Sequence, residues 1–561
     1  MRTKLIHKKI IVLLLIMVFL SPHAFSSEKS PSVQATGAGL DLLIKKRIFE
    51  ARSPLRSAIG GERVYSSVLV EGFYRGRNYQ PAWSRNGRLT QTEALTMAVE
   101  EAYGDGLTPD YYHLGLIRSL VDKVKKEASP DPARLADLDI ILTDAFLTLG
   151  CHLSAGCVNP VTIEAEWFAK RGSVDVSSVL EQALRKKQIR EELMRLRPIQ
   201  GSYENLRKVL SRYREISLKG EWPLVAGGPL LKEGSRSERL TELRERLFIS
   251  GDLVADAPKE GDFFDEKLKQ SLIIFQKRHG LMPDGVLGPP TVNALNVPLA
   301  RRVRQIELNM ERLRWILGNM EQRSIVVNIA NFQLDVMENG KSILSMKVVV
   351  GKPYWRTPVF TAKMTYVVVN PSWNVPDRIA RQEVLKKVKN NPRYLAEQNI
   401  KVLKGWAPKE EEIDPETVDW SEITPKTLTY HFRQEPGPLN PLGRLKFMFP
   451  NTFDVYLHDT PAKSLFSENV RTFSHGCTRI EKPLELGEYV LRNNPEWTQD
   501  ILLAAIEEGT EKKILISRPL NVHFLYLTAW VDEMGMLQFR NDIYGRDKSL
   551  DEALRKKPSL S

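Results

Sequence analysis

A cysteine at position 477 sits in the run Ser474-His475-Gly476-Cys477-Thr478-Arg479, surrounded by residue types that make a sulfur reactive. A thiol attacks a carbonyl carbon only as its thiolate, and a neighbouring imidazole and positive charge favour that form. The run supplies His475 two residues before the cysteine and Arg479 two residues after it. Gly476 lets a substrate approach the backbone. A second imidazole, His458, lies nineteen residues upstream, at the end of Val455-Tyr456-Leu457. Two other chemistries are open to the same residues. Polar, glycine-rich neighbours speak against Cys477 as a buried core thiol. His458, His475 and Cys477 as zinc ligands would leave an open catalytic position, but His-x-Cys is not a common zinc spacing.

These residues need a rigid frame, and the pattern around them is one of strands. Val327, Ile329, Phe332, Leu334 and Val336 mark a strand region, although Val326-Val327 breaks strict alternation. Asn339-Gly340 signals a hairpin, with Ile343 to Val350 as the answering strand. Tyr366–Val369, Leu445–Phe449 and Val455–His458 read as further strands. A charge-rich insertion, 377–436, interrupts the β pattern with helical spacing at Val384, Leu385 and Val388, and reads as a cap over the sheet.

Upstream the period is helical. Residues 35–230 carry apolar residues at helix spacing, as in Leu138, Ile141, Leu142, Phe146 and Leu149, and show no catalytic constellation. Cys151 and Cys157 in this stretch are either a pair or two separately buried thiols. Ala226-Gly227-Gly228-Pro229 reads as a linker. A small three-helix unit follows over 233–300, with Leu240, Leu243 and Leu247 on one helix and Leu268, Leu272 and Phe275 on the next. Gly285 and Gly288 are expected to supply left-handed turns before a third helix near Pro290. A linker helix over 301–323 leads to the catalytic region, 324–548, and 549–561 forms a tail. The fold class is multidomain α+β: a mainly helical N-terminal scaffold, the three-helix unit, and a mainly β catalytic domain with an inserted helical cap.

The first 26 residues read as a secretory signal. Arg2, Lys4, Lys8 and Lys9 precede the apolar run Ile10 to Leu20, and Ala24-Phe25-Ser26 leaves small residues at a cleavage site. Eleven apolar residues span only about 16 Å as a helix, short of a bilayer core of about 30 Å, so an uncleaved inner-membrane anchor is the minor alternative. No later stretch approaches 20 unbroken apolar residues. The chain carries 81 Lys and Arg against 69 Asp and Glu, a formal charge of +12. Such a balance suits an anionic polymer, or is merely solvated. A nucleic-acid partner is excluded by the export signal and by the lack of any recognition motif.

The run Tyr456-Leu457-His458-Asp459-Thr460 with Ser474-His475-Gly476-Cys477-Thr478-Arg479 resembles the signature of the L,D-transpeptidase catalytic domain. Gly351 with Arg356-Thr357-Pro358, Asn370-Pro371-Ser372-Trp373, and Gly437-Pro438 with Asn440-Pro441-Leu442-Gly443 resemble further elements of that family. The unit at 233–300 resembles a small peptidoglycan-binding domain, and the whole layout resembles the family's large periplasmic branch. Thr478 departs from the pattern, where the family more often has an apolar residue.

The resemblance implies an acyl transfer on peptidoglycan tetrapeptide stems. Cys477 attacks the carbonyl of the stem's third residue, D-alanine leaves, a thioester forms, and the side-chain amine of a second stem's third residue attacks it to give a 3→3 cross-link. His458 is the expected general base, oriented by the backbone carbonyl of Asp459. His475 shapes the pocket, and the backbone N–H groups of Gly476 and Cys477 face the oxyanion. Arg479 holds the loop or a substrate carboxylate. Ser474, Tyr456, Trp373 and Asp459 complete the expected substrate side, with packing or structural roles as the plainer alternative for the last three. The family needs no metal or organic cofactor, acts in the periplasm, and leads one to expect covalent inhibition by penem-type β-lactams and contact with other cell-wall synthesis proteins. An L,D-carboxypeptidase, a transpeptidase that attaches wall proteins, and a non-catalytic peptidoglycan-binding scaffold are the rival readings.

Overall fold

The computed structural model describes residues 39–51, 58–163, 174–198, 201–316, 321–405 and 409–556. The expected signal segment, 1–26, and the end of the tail lie outside the described residues. The N-terminal region is helical, built around Pro132–Ala155. Asp131 caps that helix by accepting from the Ala133 N–H, and Pro132 occupies its first turn, where no amide hydrogen is needed. It is long and apolar enough to cross a membrane, unlike anything expected from unbroken apolar runs, but most of it is buried among its neighbours. Leu40–Ala51, Ser67–Gly76, Thr92–Glu101, Leu114–Lys126 and Val176–Lys186 pack around it. Cys151 and Cys157, both half-buried, pack against this core.

The small unit has the three expected helices, Arg239–Ser250, Glu266–Arg278 and Pro289–Leu295, over the core of Leu240, Leu243, Leu272, Phe275 and Leu295. Of Gly285 and Gly288, only Gly285 is left-handed, at φ +67°. Gly288 is extended, and a Cβ there would lie 3.1 Å from Leu230 Cδ2, so close approach rather than a turn explains it. The helix Leu299–Ile316, expected as a linker, is instead packed on both sides. Together with Gly201–Leu218 and the hairpin Ala529–Val531/Leu537–Phe539 it forms a separate core of Tyr203, Leu206, Leu210, Ile306, Met310 and Phe539.

Nine strands make the catalytic sheet: β1 Arg323–Asn328, β2 Gln333–Glu338, β3 Lys341–Gly351, β4 Thr361–Val369, β5 Leu445–Met448, β6 Leu457–His458, β7 Thr472–Ser474, β8 Thr478–Ile480 and β9 Lys512–Leu525. Their order is β7-β3-β8-β6-β5-β4-β9-β1-β2, and β2 also pairs with β3, so the ladder returns on itself. The β2–β3 turn has Asn339 at φ +50° and Gly340 at φ +79°, the two positive values that a two-residue hairpin of this twist requires. Alternation sends Leu445 and Phe447 inward with Val367, Val369, Leu457 and Ile480, each such buried side chain contributing roughly 1.5–3 kcal/mol. It leaves Lys446 on the opposite face. Strand β6 is shorter than expected, covering only its last two residues.

The inserted cap begins with helical turns over Asp377–Asn390, interrupted by a π-helical stretch at Ala380–Val384, and continues through Tyr394–Glu397. It also carries a four-stranded sheet, ordered Glu411–Ile413, Ile400–Lys404, His431–Gln434 and Trp373–Asn374. The cap has its own core of Val384, Leu385, Val388, Val402, Leu428 and Phe432.

Candidate functional site

The signature run crosses from β7 to β8, and the ladder sets it beside β6. Strands β6 and β8 are parallel, with Leu457 opposite Thr478 and His458 opposite Arg479. Residues in register, and those two apart, share a face of a sheet. Tyr456, His458, Cys477 and Arg479 therefore fall on one side, while Leu457 and Thr478 are buried on the other. The Tyr456 and His458 rings meet edge to face at 5.6 Å, as that placement requires.

His458 is buried, and its Nδ1 donates to the Asp459 carbonyl at 2.6 Å. Burial first, then the Arg479 and Lys446 charges, push its pKa down to about 3, with the Asp459 and Pro441 carbonyls opposing. The ring is neutral at physiological pH with its proton on Nδ1, so Nε2 carries the lone pair. The Cys477 thiol donates to the Asp454 carbonyl at 3.6 Å. Burial raises its pKa above the ordinary thiol value. The backbone and hydroxyl of Tyr456, and the Lys446 charge, work against that rise. The sulfur thus rests as a thiol with donors ready for its anion.

Gly476 has φ +120°, and a Cβ built on it would meet nothing closer than 4.0 Å, so it is conformation that calls for glycine here. Its carbonyl accepts from Thr357 Oγ1 at 2.8 Å. Its N–H donates to Ser474 Oγ at 3.2 Å and so is already engaged within the loop. Ser474 is itself buried, and its hydroxyl donates to the Cys477 carbonyl at 2.5 Å. Both of its hydrogen bonds lie within the loop. Asp459 is also committed. Its carboxylate accepts from the Arg444 N–H at 2.9 Å and pairs with Lys463 at 2.5 Å.

His475 points to the cap: its Nε2 lies 2.6 Å from Glu383 Oε1 and its ring stands edge-on to Trp355 at 4.5 Å. The Arg378 guanidinium covers the Trp355 ring at 4.1 Å. Trp373 belongs to the cap sheet, opposite Gln434, and packs on the cap core. Arg479 keeps a buried Nε with no hydrogen-bond partner among the described residues. Burial lowers its pKa, and Cys477 is the negative group opposing that.

Sequence reasoning missed Lys446, Trp355, Glu383 and the buttress of the loop from the C-terminal segment. Tyr544 donates to the Gly351 carbonyl at 2.6 Å, and Arg546 donates to the Thr357 carbonyl at 3.2 Å. For Lys446 a signal existed: it is a charge at the outward position of an otherwise apolar alternation, one register step from Tyr456-x-His458.

Comparison with known proteins assigns domains to three parts of the chain. Residues 322–511 match the L,D-transpeptidase catalytic domain, 236–295 a peptidoglycan binding domain, and 68–210 a scaffold domain. A Haemophilus influenzae protein described as "Putative L,D-transpeptidase" is 36% identical over 253 residues, which are 45% of this chain and 49% of that protein. The chain thus spans about half the length of the curated relative it matches. Among solved structures, an L,D-transpeptidase from Mycobacterium smegmatis is 13% identical over 36% of this chain and 58% of its own, with a TM-score of 0.17. One from Stackebrandtia nassauensis is 13% identical over 54% and 96%, with a TM-score of 0.21. Superpositions this poor add nothing to the assignment, which rests on the three matched domains and the curated relative. By these, residues 322–511 match an L,D-transpeptidase catalytic domain, with a peptidoglycan binding domain and a scaffold domain before it.

Proposed function

We propose that the protein is a periplasmic L,D-transpeptidase that forms 3→3 cross-links between peptidoglycan tetrapeptide stems through a thioester on Cys477. The observation that carries this reading is the shared face of Cys477 and a neutral His458 whose Nδ1 is engaged by a carbonyl. Nε2 of His458 takes the thiol proton as Sγ bonds to the carbonyl carbon of the donor stem's third residue. The negative charge that develops on oxygen meets the Cys477 N–H. The bond to D-alanine breaks, and its nitrogen takes the proton back from His458. The acceptor amine then attacks the thioester, gives a proton to His458, and expels the sulfur, which is reprotonated. One amide is broken and one made, and no cofactor enters.

A thioester in water is lost to hydrolysis unless the site is covered. The contacts of Glu383 with His475 and Arg378 with Trp355 support a cap that limits water until the acceptor arrives. Arg479, on the nucleophile's face with an unused Nε, is suited to a substrate carboxylate. The matched peptidoglycan-binding and catalytic domains support a substrate in the cell wall. A penem-type β-lactam, an acyl donor of comparable size, is expected to acylate the same sulfur.

The test is intact-protein mass spectrometry of residues 27–561 mixed with disaccharide tetrapeptide, with Cys477→Ala in parallel and products analysed from the same tubes. The expected result is a transient adduct on the unsubstituted protein alone and a dimer that has lost one D-alanine. An adduct that yields only shortened monomer would replace this reading with a carboxypeptidase, and no adduct with either tetrapeptide or penem would replace it with a binding scaffold.

A further inference from the structure

Lys446 lies on β5 directly opposite His458, on the face that carries the nucleophile. Its Nζ stands 4.0 Å from the centre of the Tyr456 ring, whose hydroxyl interacts electrostatically with the Cys477 sulfur. The ammonium is half-buried, and no carboxylate pairs with it among the described residues. Holding such a charge in place without an anion costs free energy, so its position calls for a reason. The groups that face it are Tyr456 just before β6 and His458 on it, Cys477 and Arg479 at β8, Asp454 in the loop before β6, and Glu511 ahead of β9. Glu511 is already engaged, its carboxylate accepting from the Ser372 N–H and hydroxyl, each at 2.6 Å. Asp454 contributes its carbonyl to the thiol. His458 rests as the neutral ring, so no imidazolium faces the sulfur before the proton moves.

We propose that Lys446 is the counter-cation of the Cys477 sulfur, a positioning residue whose ammonium, held over the Tyr456 ring, stabilises the negative charge on Sγ as its proton leaves. This rests on Cys477 being the nucleophile, but it is a property of the free protein and needs no peptidoglycan to be seen.

The test is the rate of alkylation by iodoacetamide from pH 6 to pH 11, read by mass spectrometry on the Cys477 peptide so that Cys151 and Cys157 do not contribute. Unsubstituted protein, Lys446→Met and Lys446→Arg are compared as full chains, with thermal melting to confirm folding and Lys446→Gln in reserve should the methionine variant not fold. Loss of the charge is expected to lower the rate at pH 7 about tenfold, a shift of about one unit in the thiol's ionisation. The rates should converge near pH 11, where the thiol is ionised whichever side chain stands at position 446. Lys446→Arg should restore the rate at pH 7. Equal rates at pH 7, a deficit that is the same at every pH, or a deficit that arginine does not reverse would each overturn the proposal. A shift in alkylation together with no acyl adduct on tetrapeptide would overturn the transpeptidase reading and leave Lys446 in this role.

Discussion

Beneath the nucleophile, Thr478 is fully buried, and its hydroxyl has no hydrogen-bond partner among the described residues. A buried hydroxyl left unsatisfied costs on the order of 1–3 kcal/mol. Thr478→Val, of nearly the same shape, is expected to stabilise the protein by about 1 kcal/mol, read from denaturant midpoints, and to leave acylation of Cys477 unchanged. A lower midpoint for the valine variant would mean that the hydroxyl has a partner. The histidines set a second expectation. Burial drives the pKa of His458 to about 3 and that of His523 to about 4, and drives His279 well below its ordinary value. In the unfolded chain all three titrate near 6.5. Between about pH 4 and 6.5 the unfolded state therefore binds more protons than the folded one, so stability rises with pH across that window and is lost as pH falls through it. His113 opposes this: burial lowers its pKa, but Asp144 and Glu62 outweigh burial and raise it. Melting temperatures at pH 7.5 and 5 test the balance, with His523→Gln expected to flatten the slope. In the reaction, a neutral His458 places the acid limb of kcat/KM well below the ordinary imidazole value, and an inflection at 6.5 would contradict its role as resting base. Cys477, His458 and Gly476 were legible in sequence because their chemistry needs those residue types close together. The commitments of Ser474 and Asp459 to backbone groups were not, since hydrogen-bond partners depend on loop geometry that residue type does not encode.

The elements around the site differ in how far local rules determine them. The β2–β3 hairpin is legible because Asn339-Gly340 states its own turn, whereas the cap sheet is not: Trp373 pairs with Gln434 across the whole insertion, and no local signal marks that register. The helical spacing of Val384, Leu385 and Val388 was visible in the same insertion because it is local. Two glycines separate conformation from position. Gly340 is left-handed with open space around it, so Gly340→Ala is expected to cost about 1 kcal/mol of stability and leave the site alone. Gly443 is left-handed too, at φ +59°, but a Cβ there would lie 2.3 Å from Asp459 Oδ2. Gly443→Ala must push the Asp459 carboxylate away, and with it the backbone that holds His458 Nδ1. It is expected to lower kcat/KM at least tenfold beyond any loss of stability, by analogy with the large rate cost of small misplacements. Equal effects of the two substitutions on activity would show that Asp459 does not transmit the displacement.

At the scale of the molecule, the parts named separately in the sequence share one buried helix. The linker at 226–229 and the expected linker helix over 301–323 suggested modules joined end to end, but apolar faces on Gly201–Leu218 and Leu299–Ile316 have no local mark of the partner each will cover. On the second helix, Asn309 and Arg312 reach Thr528 and Asp547 of the catalytic region, while Glu311 reaches the other way. Its Oε1 accepts from the Val158 N–H at 2.9 Å, just beyond the long scaffold helix, and from Trp315 Nε1 at 3.1 Å. Its Oε2 accepts from Arg314 at 2.7 Å. Glu311 and Arg314 are both buried, so neutralising one leaves the other charge without compensation, a loss of about 3–5 kcal/mol. Glu311→Gln keeps the volume but removes that charge and turns one acceptor into a donor facing the Val158 or Arg314 groups. The damage falls at the seam between scaffold and catalytic regions, away from both cores, so the expected result is more specific than a lower midpoint. Calorimetry should show a cooperative melt resolving into two transitions, the scaffold separating from the β domain, while iodoacetamide still reads an unchanged Cys477 at temperatures below the first. A single transition displaced as a whole would mean that this helix belongs to one region and merely rests against the other. If it does hold both, the position of the active site relative to the peptidoglycan-binding unit is fixed by buried charge and not by linker length, and insertions at 226–229 should alter activity less than the substitution of Glu311.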